Sequence, residues 1–414
     1  MGRRWDEARA TGDPRLDRLR RLVAHAYERV PFYRERFALA GVQPEDIRAI
    51  DDIALLPIAD KRDLVDRPAA EITASGLDPE QLVATMTSGY SGEPFVIRRT
   101  RREQTRWARS WLPDLLAAGL RTGDRVASVF AVREERTDGV GLLEALGLVS
   151  ETVIDCAEDP PEIVRRLAKA RPDFLRGMAG VLEHLAHDMS VAEPPIRPRV
   201  VWVSGEVLTP VARRRIEAAF AAPVHNAYGT HEIGLLASDC RESGLMHVSS
   251  PGSIVEILTP DNLPAKEGET GEVVVTALDF FAAPFIRYRL KDLATRGAAT
   301  CPCGVRSPTI AHIDGRSIDY FEMPDGRYLH PYRILGPALA AAPWIRQYQL
   351  VQESRHRIVL RLVRKGPLDE AERRRLRSTV DSLLGPDVLF RVEAVPRIAA
   401  TPGGKSRAIV SLVE

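Results

Sequence analysis

Met86-Thr87-Ser88-Gly89-Tyr90-Ser91-Gly92-Glu93-Pro94 is a hydroxyl- and glycine-rich turn set between Gln81-Leu82-Val83-Ala84-Thr85 and the strand-like Phe95-Val96-Ile97. Gly89 and Gly92 permit sharp turns and a close backbone approach that a Cβ would obstruct. Backbone N–H groups and the Thr87, Ser88 and Ser91 hydroxyls can therefore converge on phosphate oxygens. The stretch is not a P-loop, because Glu93 stands where the Lys-Ser/Thr pair should begin. In isolation the same pattern is more often an ordinary surface turn rich in Ser and Gly.

Outward from this turn, apolar strands alternate with helical segments. A helix is expected over roughly Arg102 to Ala118, then strands at Arg125–Phe130, Val153–Asp155, Phe174–Leu175 and Val200–Ser204, with helices near Pro161–Lys169 and Leu182–Met189. This rhythm predicts a layered α/β body with a largely parallel sheet, in which ligands bind beyond the carboxyl ends of the strands. Ser204-Gly205-Glu206 leaves one such end. Upstream, Leu16, Leu19, Leu22, Val23, Ala26 and Tyr27 recur at helical spacing and stop before Val30-Pro31. Phe32, Tyr33 and Leu56 then read as packing residues of a helical lid with no chemistry to offer.

A chain of 414 residues exceeds what one hydrophobic core supports, so two or more domains are expected. With a net charge of +1, no electrostatic case exists for nucleic acid or an anionic membrane as partner. No apolar run is long enough for a signal peptide or a membrane span, which points to a soluble cytoplasmic protein. A homodimer stays open.

Val224-His225-Asn226-Ala227-Tyr228-Gly229-Thr230-His231-Glu232-Ile233-Gly234 is the most specific stretch. Tyr228 offers a flat face for a purine, Gly229 a turn, and Glu232 a hard oxygen ligand suited to Mg²⁺ held mostly by phosphates and water. Gly271–Thr276 reads as a strand with period-2 features. Asp292, in Phe285-Ile286-Arg287-Tyr288-Arg289-Leu290-Lys291-Asp292, can accept two hydrogen bonds from a ribose diol. Arg287 and Arg289 could neutralise phosphate or pair with nearby carboxylates. Cys240, His247, Cys301 and Cys303 could converge on one tetrahedral Zn²⁺ or remain unligated thiols, while Cys156 lies apart.

Beyond residue 320, Pro324-Asp325-Gly326-Arg327 reads as a hairpin turn. Ile345–Val351 and Arg357–Val363 read as half-exposed strands, and Leu368 to Leu384 as an amphipathic helix. Together they make a small α+β domain of about a hundred residues, a size that folds as a unit. In the tail, Gly403-Gly404-Lys405 frees a loop to carry an ammonium into a cleft, where it can neutralise both a carboxylate and an α-phosphate.

Taken in this order, the segments resemble the adenylate-forming superfamily over nearly the whole chain. Val30-Pro31-Phe32-Tyr33-Arg34 and Ile53–Leu64 are similar to the opening of its phenylacetate-CoA ligase branch. The resemblance implies a large N-terminal adenylation domain, 1–316, binding ATP and acid, and a smaller mobile C-terminal domain, 317–414. Ser204, Gly205 and Glu206 would line the adenine pocket, with Tyr228, Gly229 and Thr230 beside them. Asp292 would hold the ribose, Arg316 at the hinge would reach ribose or phosphate, and Lys405 would be the adenylation lysine. His231 stands where the pattern has Thr or Ser, and its imidazole either donates near the α-phosphate or turns away. Ile318 departs from the hinge pattern, and Lys291 occupies a position where many relatives have Gly.

The implied activity is ATP- and Mg²⁺-dependent activation of a carboxylic acid through an acyl-adenylate, with coenzyme A as the usual acceptor. An amine acceptor or a non-catalytic nucleotide-binding module are the alternatives. Residues 131–141 lack the aromatic-rich segment of phenylacetate-CoA ligases, which puts phenylacetate in doubt and leaves an aryl or similar acid. Met178, Gly180 and His225 are the candidates for the acid pocket.

Overall fold

A computed structural model describes residues 13–65, 67–86, 95–130, 139–156, 158, 160–189, 195–248, 252–316, 321–325, 328–329, 331, 334, 338, 345, 347–364, 368–398 and 409–413. The chain divides into two compact units. One comprises Met1–Asp124, Glu134–Glu151 and His225–Asp314; the other comprises Arg125–Arg133, Thr152–Val224 and Gly315–Glu414.

In the first unit, Asp13 accepts the N–H of Arg15 at 2.9 Å and caps the helix Pro14–Arg29. Leu19, Leu22, Val23 and Ala26 form its fully buried stripe. Pro31 ends the helix, because the residue before a proline is pushed out of the helical region and Val30 sits at φ −113° and ψ 107°. The next helix, Pro31–Ala40, buries Phe32, Tyr33 and Phe37. The packing role expected for this opening is what the coordinates show. The Tyr33 hydroxyl donates to the Pro284 carbonyl at 2.9 Å and accepts the Ile286 N–H at 3.0 Å.

Seven strands of this unit lie in the spatial order Ser253–Leu258, Thr270–Ala277, Tyr288–Arg296, Thr309–Arg316, Met246–Val248, Gly234–Asp239 and Val224–Thr230. Their registered pairings are antiparallel. The parallel pairing expected from the strand–helix rhythm of residues 125–204 does not extend to these strands, whose neighbours run antiparallel. Thr270–Ala277 also departs from period 2. From Val273 to Ala277 every residue is buried, as a central strand covered on both faces requires.

Arg287 resolves toward the carboxylate alternative. It donates to both Glu256 oxygens, at 2.9 and 3.1 Å, and to the carbonyls of Ala54 and Leu56. Arg289 likewise pairs with Glu272 at 3.0 Å.

In the second unit, Arg125–Phe130, Phe174–Gly177 and Val200–Ser204 form the parallel part of the sheet expected from the βα rhythm, with Phe174–Gly177 central. The helices Pro160–Ala170, Ala179–Met189 and Pro210–Phe220 cover it, with Ile163, Leu167, Leu182, Leu185, Ile216 and Phe220 in one core. Farther along, the strands Leu389–Val395, Arg357–Val363, Gln347–Ser354 and Ile409–Ser411 form a four-stranded sheet in that order. Phe321, Leu350, Leu360, Leu376 and Phe390 share a separate core. The single helix expected over 368–384 is two, Glu370–Ser378 and Asp381–Leu384. Asp369 and Glu372 cap the first reciprocally, and the Thr379 hydroxyl bonds back to the Leu376 carbonyl where it ends. The helix expected over 102–118 is also two, Arg101–Arg109 and Leu112–Ala118.

Replacing Tyr33 by Phe strands a buried carbonyl and a buried N–H together. Urea unfolding of Tyr33→Phe should show a loss of about 1–3 kcal/mol; an unchanged midpoint with unchanged slope would contradict the tethering role.

Candidate active site

Two predicted ligands meet in the first unit. The Tyr228 hydroxyl donates to Asp292 Oδ2 at 2.7 Å, joining strands 64 residues apart in sequence. Asp292 lies in an irregularity of its strand: Glu272 pairs with Leu293 and Val274 with Arg289, so Leu290, Lys291 and Asp292 stand against Val273 alone. Bulges of this kind re-aim side chains. Lys291 takes φ +61°, the left-handed region that glycine enters freely. Its ammonium sits 3.6 Å from Asp60. Burial works to raise Asp60, but backbone N–H bonds and Lys291 outweigh it and hold the carboxyl below its ordinary range.

Gly229 and Gly234 bracket the turn that carries Thr230, His231 and Glu232. A Cβ on Gly229 would overlap the Trp111 indole and lie 2.5 Å from the Gly234 carbonyl. Gly234, at φ +102°, is pressed against Ser110. Thr230 Oγ1 accepts the Ile233 N–H at 3.2 Å, and Trp107 Nε1 donates to the Thr230 carbonyl at 3.4 Å. The His231 ring lies 11° from parallel with Trp107 at a centroid distance of 6.2 Å. The His231 and Glu232 carbonyls both accept from the buried guanidinium of Arg99, the latter at 2.8 Å. Burial pulls Arg99 down to about 10, with Glu232 and Glu103 acting in the opposite direction.

His225, a candidate for the acid pocket, is buried with its Nε2 2.7 Å from Asp114 Oδ1. In the second unit, Gly205 takes φ +84° just beyond the strand Val200–Ser204. The next residue, Glu206, accepts the Gly180 N–H at 2.7 Å, and Met178 is buried beside the same helix start. An adenine-pocket candidate and an acid-pocket candidate thus touch directly. Thr87, Ser88, Gly89, Ser91, Gly92 and Lys405 lie outside the described residues, as do Ile318 and the side chain of Arg316. The strands that flank the expected phosphate turn are described: Val83–Met86 pairs antiparallel with Val96–Arg99, Met86 opposite Val96.

Cys240, His247, Cys301 and Cys303 bring their ligand atoms within 4.8 Å of one another. Cys240 and Cys301 sulfurs are 3.6 Å apart, and His247 Nε2 is 3.2 Å from Cys303 Sγ. Two thiolates on a tetrahedral zinc, each at about 2.3 Å, stand close to that separation. His247 Nδ1 is 2.9 Å from the Ser307 hydroxyl, an outer partner that orients the imidazole. The donor set fits zinc. Cys156 stands apart, its thiol pushed up to about 11 by burial.

A curated phenylacetate-coenzyme A ligase of Aromatoleum evansii is 30% identical over 327 residues, covering 76% of this chain and 71% of its own. The chain belongs to the phenylacetate-coenzyme A ligase family. A second member, from Thermus thermophilus, is 29% identical over 86% of this chain and 79% of its own. A family profile described as the CapK C-terminal domain matches residues 321–412. Among solved structures, a 2-hydroxyisobutyryl-CoA ligase with its acyl-AMP, in the postadenylation state, superposes with a TM-score of 0.81 at 22% identity, covering 99% of this chain and 92% of the other. A benzoate-CoA ligase from Burkholderia xenovorans gives 0.57 at 17% identity, over 80% and 69%. The fold is that of the adenylate-forming enzymes: a large α/β body and a smaller C-terminal domain.

For a phenylacetate-coenzyme A ligase relative, the sequence reading passed over Arg99, Trp107, Trp111 and Asp114. Thr100-x-x-Glu103 was a legible capping signal, and in the structure Thr100 accepts the Glu103 N–H while Glu103 accepts the Thr100 N–H. It would have placed Arg99 at the junction of strand and helix.

Gly229→Ala should displace Tyr228 from Asp292 and weaken ATP binding at least tenfold, with an overpacking cost of about 1–3 kcal/mol. Calorimetric ATP titration beside a thermal melt checks this, and wild-type affinity would contradict the fit.

Proposed function

We propose that this member of the family converts an aryl or similar carboxylic acid to its acyl-adenylate and passes the acyl group to coenzyme A. The family's activity is that of an AMP-forming acid–CoA ligase; the acid and the residue roles are our reading. The hydrogen bond between Tyr228 and Asp292 carries it, because it sets a purine-sized aromatic face beside a carboxylate suited to a ribose diol.

In the first half-reaction a carboxylate oxygen attacks the α-phosphorus, the bond to the bridging oxygen breaks, and pyrophosphate leaves. Two anions must meet, so positioning and charge compensation are the chain's task. Residues 87–94 would cradle the phosphates. Glu232 would hold Mg²⁺, which supplies charge neutralisation on the phosphates when bound. Lys405 would neutralise charge between the carboxylate and the α-phosphate. In the second half-reaction the coenzyme A sulfur attacks the acyl carbon and AMP departs. A boundary at residue 316/317 would let the small domain withdraw Lys405 in between, a motion of the kind that gates turnover. Cys240, His247, Cys301 and Cys303 would hold a structural zinc away from this chemistry.

Pyrophosphate exchange against a panel of aryl and short-chain acids should reveal the acid, and product analysis with coenzyme A should give the thioester. Silence across the panel would refute the enzyme reading. Lys405→Ala should cut exchange by about 10²–10³, the scale of losing one electrostatic donor, while ATP still binds; unchanged exchange would remove Lys405 from the chemistry. Metal analysis of purified protein should find one zinc per chain, and a stable zinc-free sample would end that assignment.

A further inference from the structure

Arg99 is the last residue of the strand Val96–Arg99 and directly precedes Thr100, the cap of the helix Arg101–Arg109. Only 2% of it is exposed, which makes it the largest fully buried side chain among the described residues. A buried guanidinium is costly unless its donors are used. Here the two terminal nitrogens donate to neutral acceptors, while the buried Nε has none. Nη2 serves the carbonyls of His231 and Glu232, and Nη1 serves Gln104 Oε1 at 3.2 Å and Thr85 Oγ1 at 3.4 Å.

The aromatic faces of Trp107 and Phe280 stand 5.5 and 5.2 Å from its central carbon. Glu103 is anchored elsewhere, accepting the N–H groups of Phe281 and Ala282. The two successive carbonyls held by one nitrogen fix the backbone at Glu232, and with it the Cα–Cβ direction from which the side chain starts. Arg99 ends the strand whose antiparallel partner, Val83–Met86, directly precedes residues 87–94 in the chain.

We propose that Arg99 is a positioning residue for the metal-binding step: from the end of the strand Val96–Arg99 it locks the backbone of His231 and Glu232 and so sets where the Glu232 side chain leaves the chain. This rests on Glu232 being the Mg²⁺ ligand. Lysine could supply the charge but not the planar fork, so Arg99→Lys is not conservative here.

The test uses ATP and Mg²⁺ alone and needs no acid. ATP binding is measured by calorimetry at increasing Mg²⁺, and the Mg²⁺ concentration giving half of the full tightening is read for wild type, Arg99→Lys, Arg99→Met and Glu232→Gln, with thermal unfolding alongside. Removing an outer partner of a metal ligand commonly costs about 10- to 100-fold in metal affinity. Arg99→Met should therefore raise the half-effect concentration by at least tenfold, with Arg99→Lys between it and wild type. A merely structural role would lower the melting temperature and leave the Mg²⁺ dependence of the folded protein in place. If Arg99→Met does not fold, Arg99→Lys decides. A shift in Glu232→Gln with none in the Arg99 variants overturns the positioning role and leaves Glu232 standing. No shift in Glu232→Gln overturns the Glu232 assignment itself, and the inference falls with it.

Discussion

The absence of space at Gly229 and Gly234 is the constraint on which the site depends. One glycine lies flush against the Trp111 indole and the carbonyl of the other, and the second is pressed on Ser110. Close-packed interiors do not yield a few tenths of an ångström cheaply. The turn between these glycines is therefore held against the helices Arg101–Arg109 and Leu112–Ala118, and Tyr228, immediately before it, reaches Asp292. The bulge in the Asp292 strand supplies the other half of that meeting, at the cost of putting Lys291 in a left-handed conformation.

Electrostatics finishes what packing begins. Arg99 carries a charge into a place where burial opposes it, and the surrounding carbonyls, ring faces and the nearby Glu232 and Glu103 charges offset that cost. Because one guanidinium nitrogen donates to two successive backbone carbonyls, the turn gains rigidity rather than a plain ion pair. Arg287 shows the other use of a buried arginine in this family member. It forms a bidentate bond to Glu256 and ties the carbonyls of Ala54 and Leu56 to the sheet.

Much of the architecture was legible in local chemistry. Pro31 stops a helix, Asp13, Thr100 and Asp369 start others, and the strand–helix rhythm from Arg125 to Ser204 is the parallel layer. Where the reading failed, the cause was tertiary. Val273 to Ala277 are apolar or small on both faces because the strand is central, and a pattern read as period 2 misses that. The break between Ser378 and Asp381 falls at Val380, which is fully buried, leaves the helical region at φ −122° and carries no local breaker signal. Antiparallel pairing in the 224–316 half is set by which strands neighbour each other, a property of spatial order.

By itself the sequence determined the residue types and their order: a hydroxyl-rich turn, Tyr-Gly-x-x-Glu, Arg-Tyr-Arg-x-x-Asp, paired cysteines and a histidine, a Gly-Gly-Lys tail. Those suffice for a family and a reaction class, because adenylate chemistry demands particular groups in a particular succession. Only the tertiary structure decided which groups touch. Tyr33 with Pro284, Arg99 with Glu232, Asp114 with His225 and Cys303 with His247 are separated by 56 to 251 residues, and no local propensity encodes such pairs. Burial selects them, since each polar atom removed from water needs a partner and the fold brings one within reach.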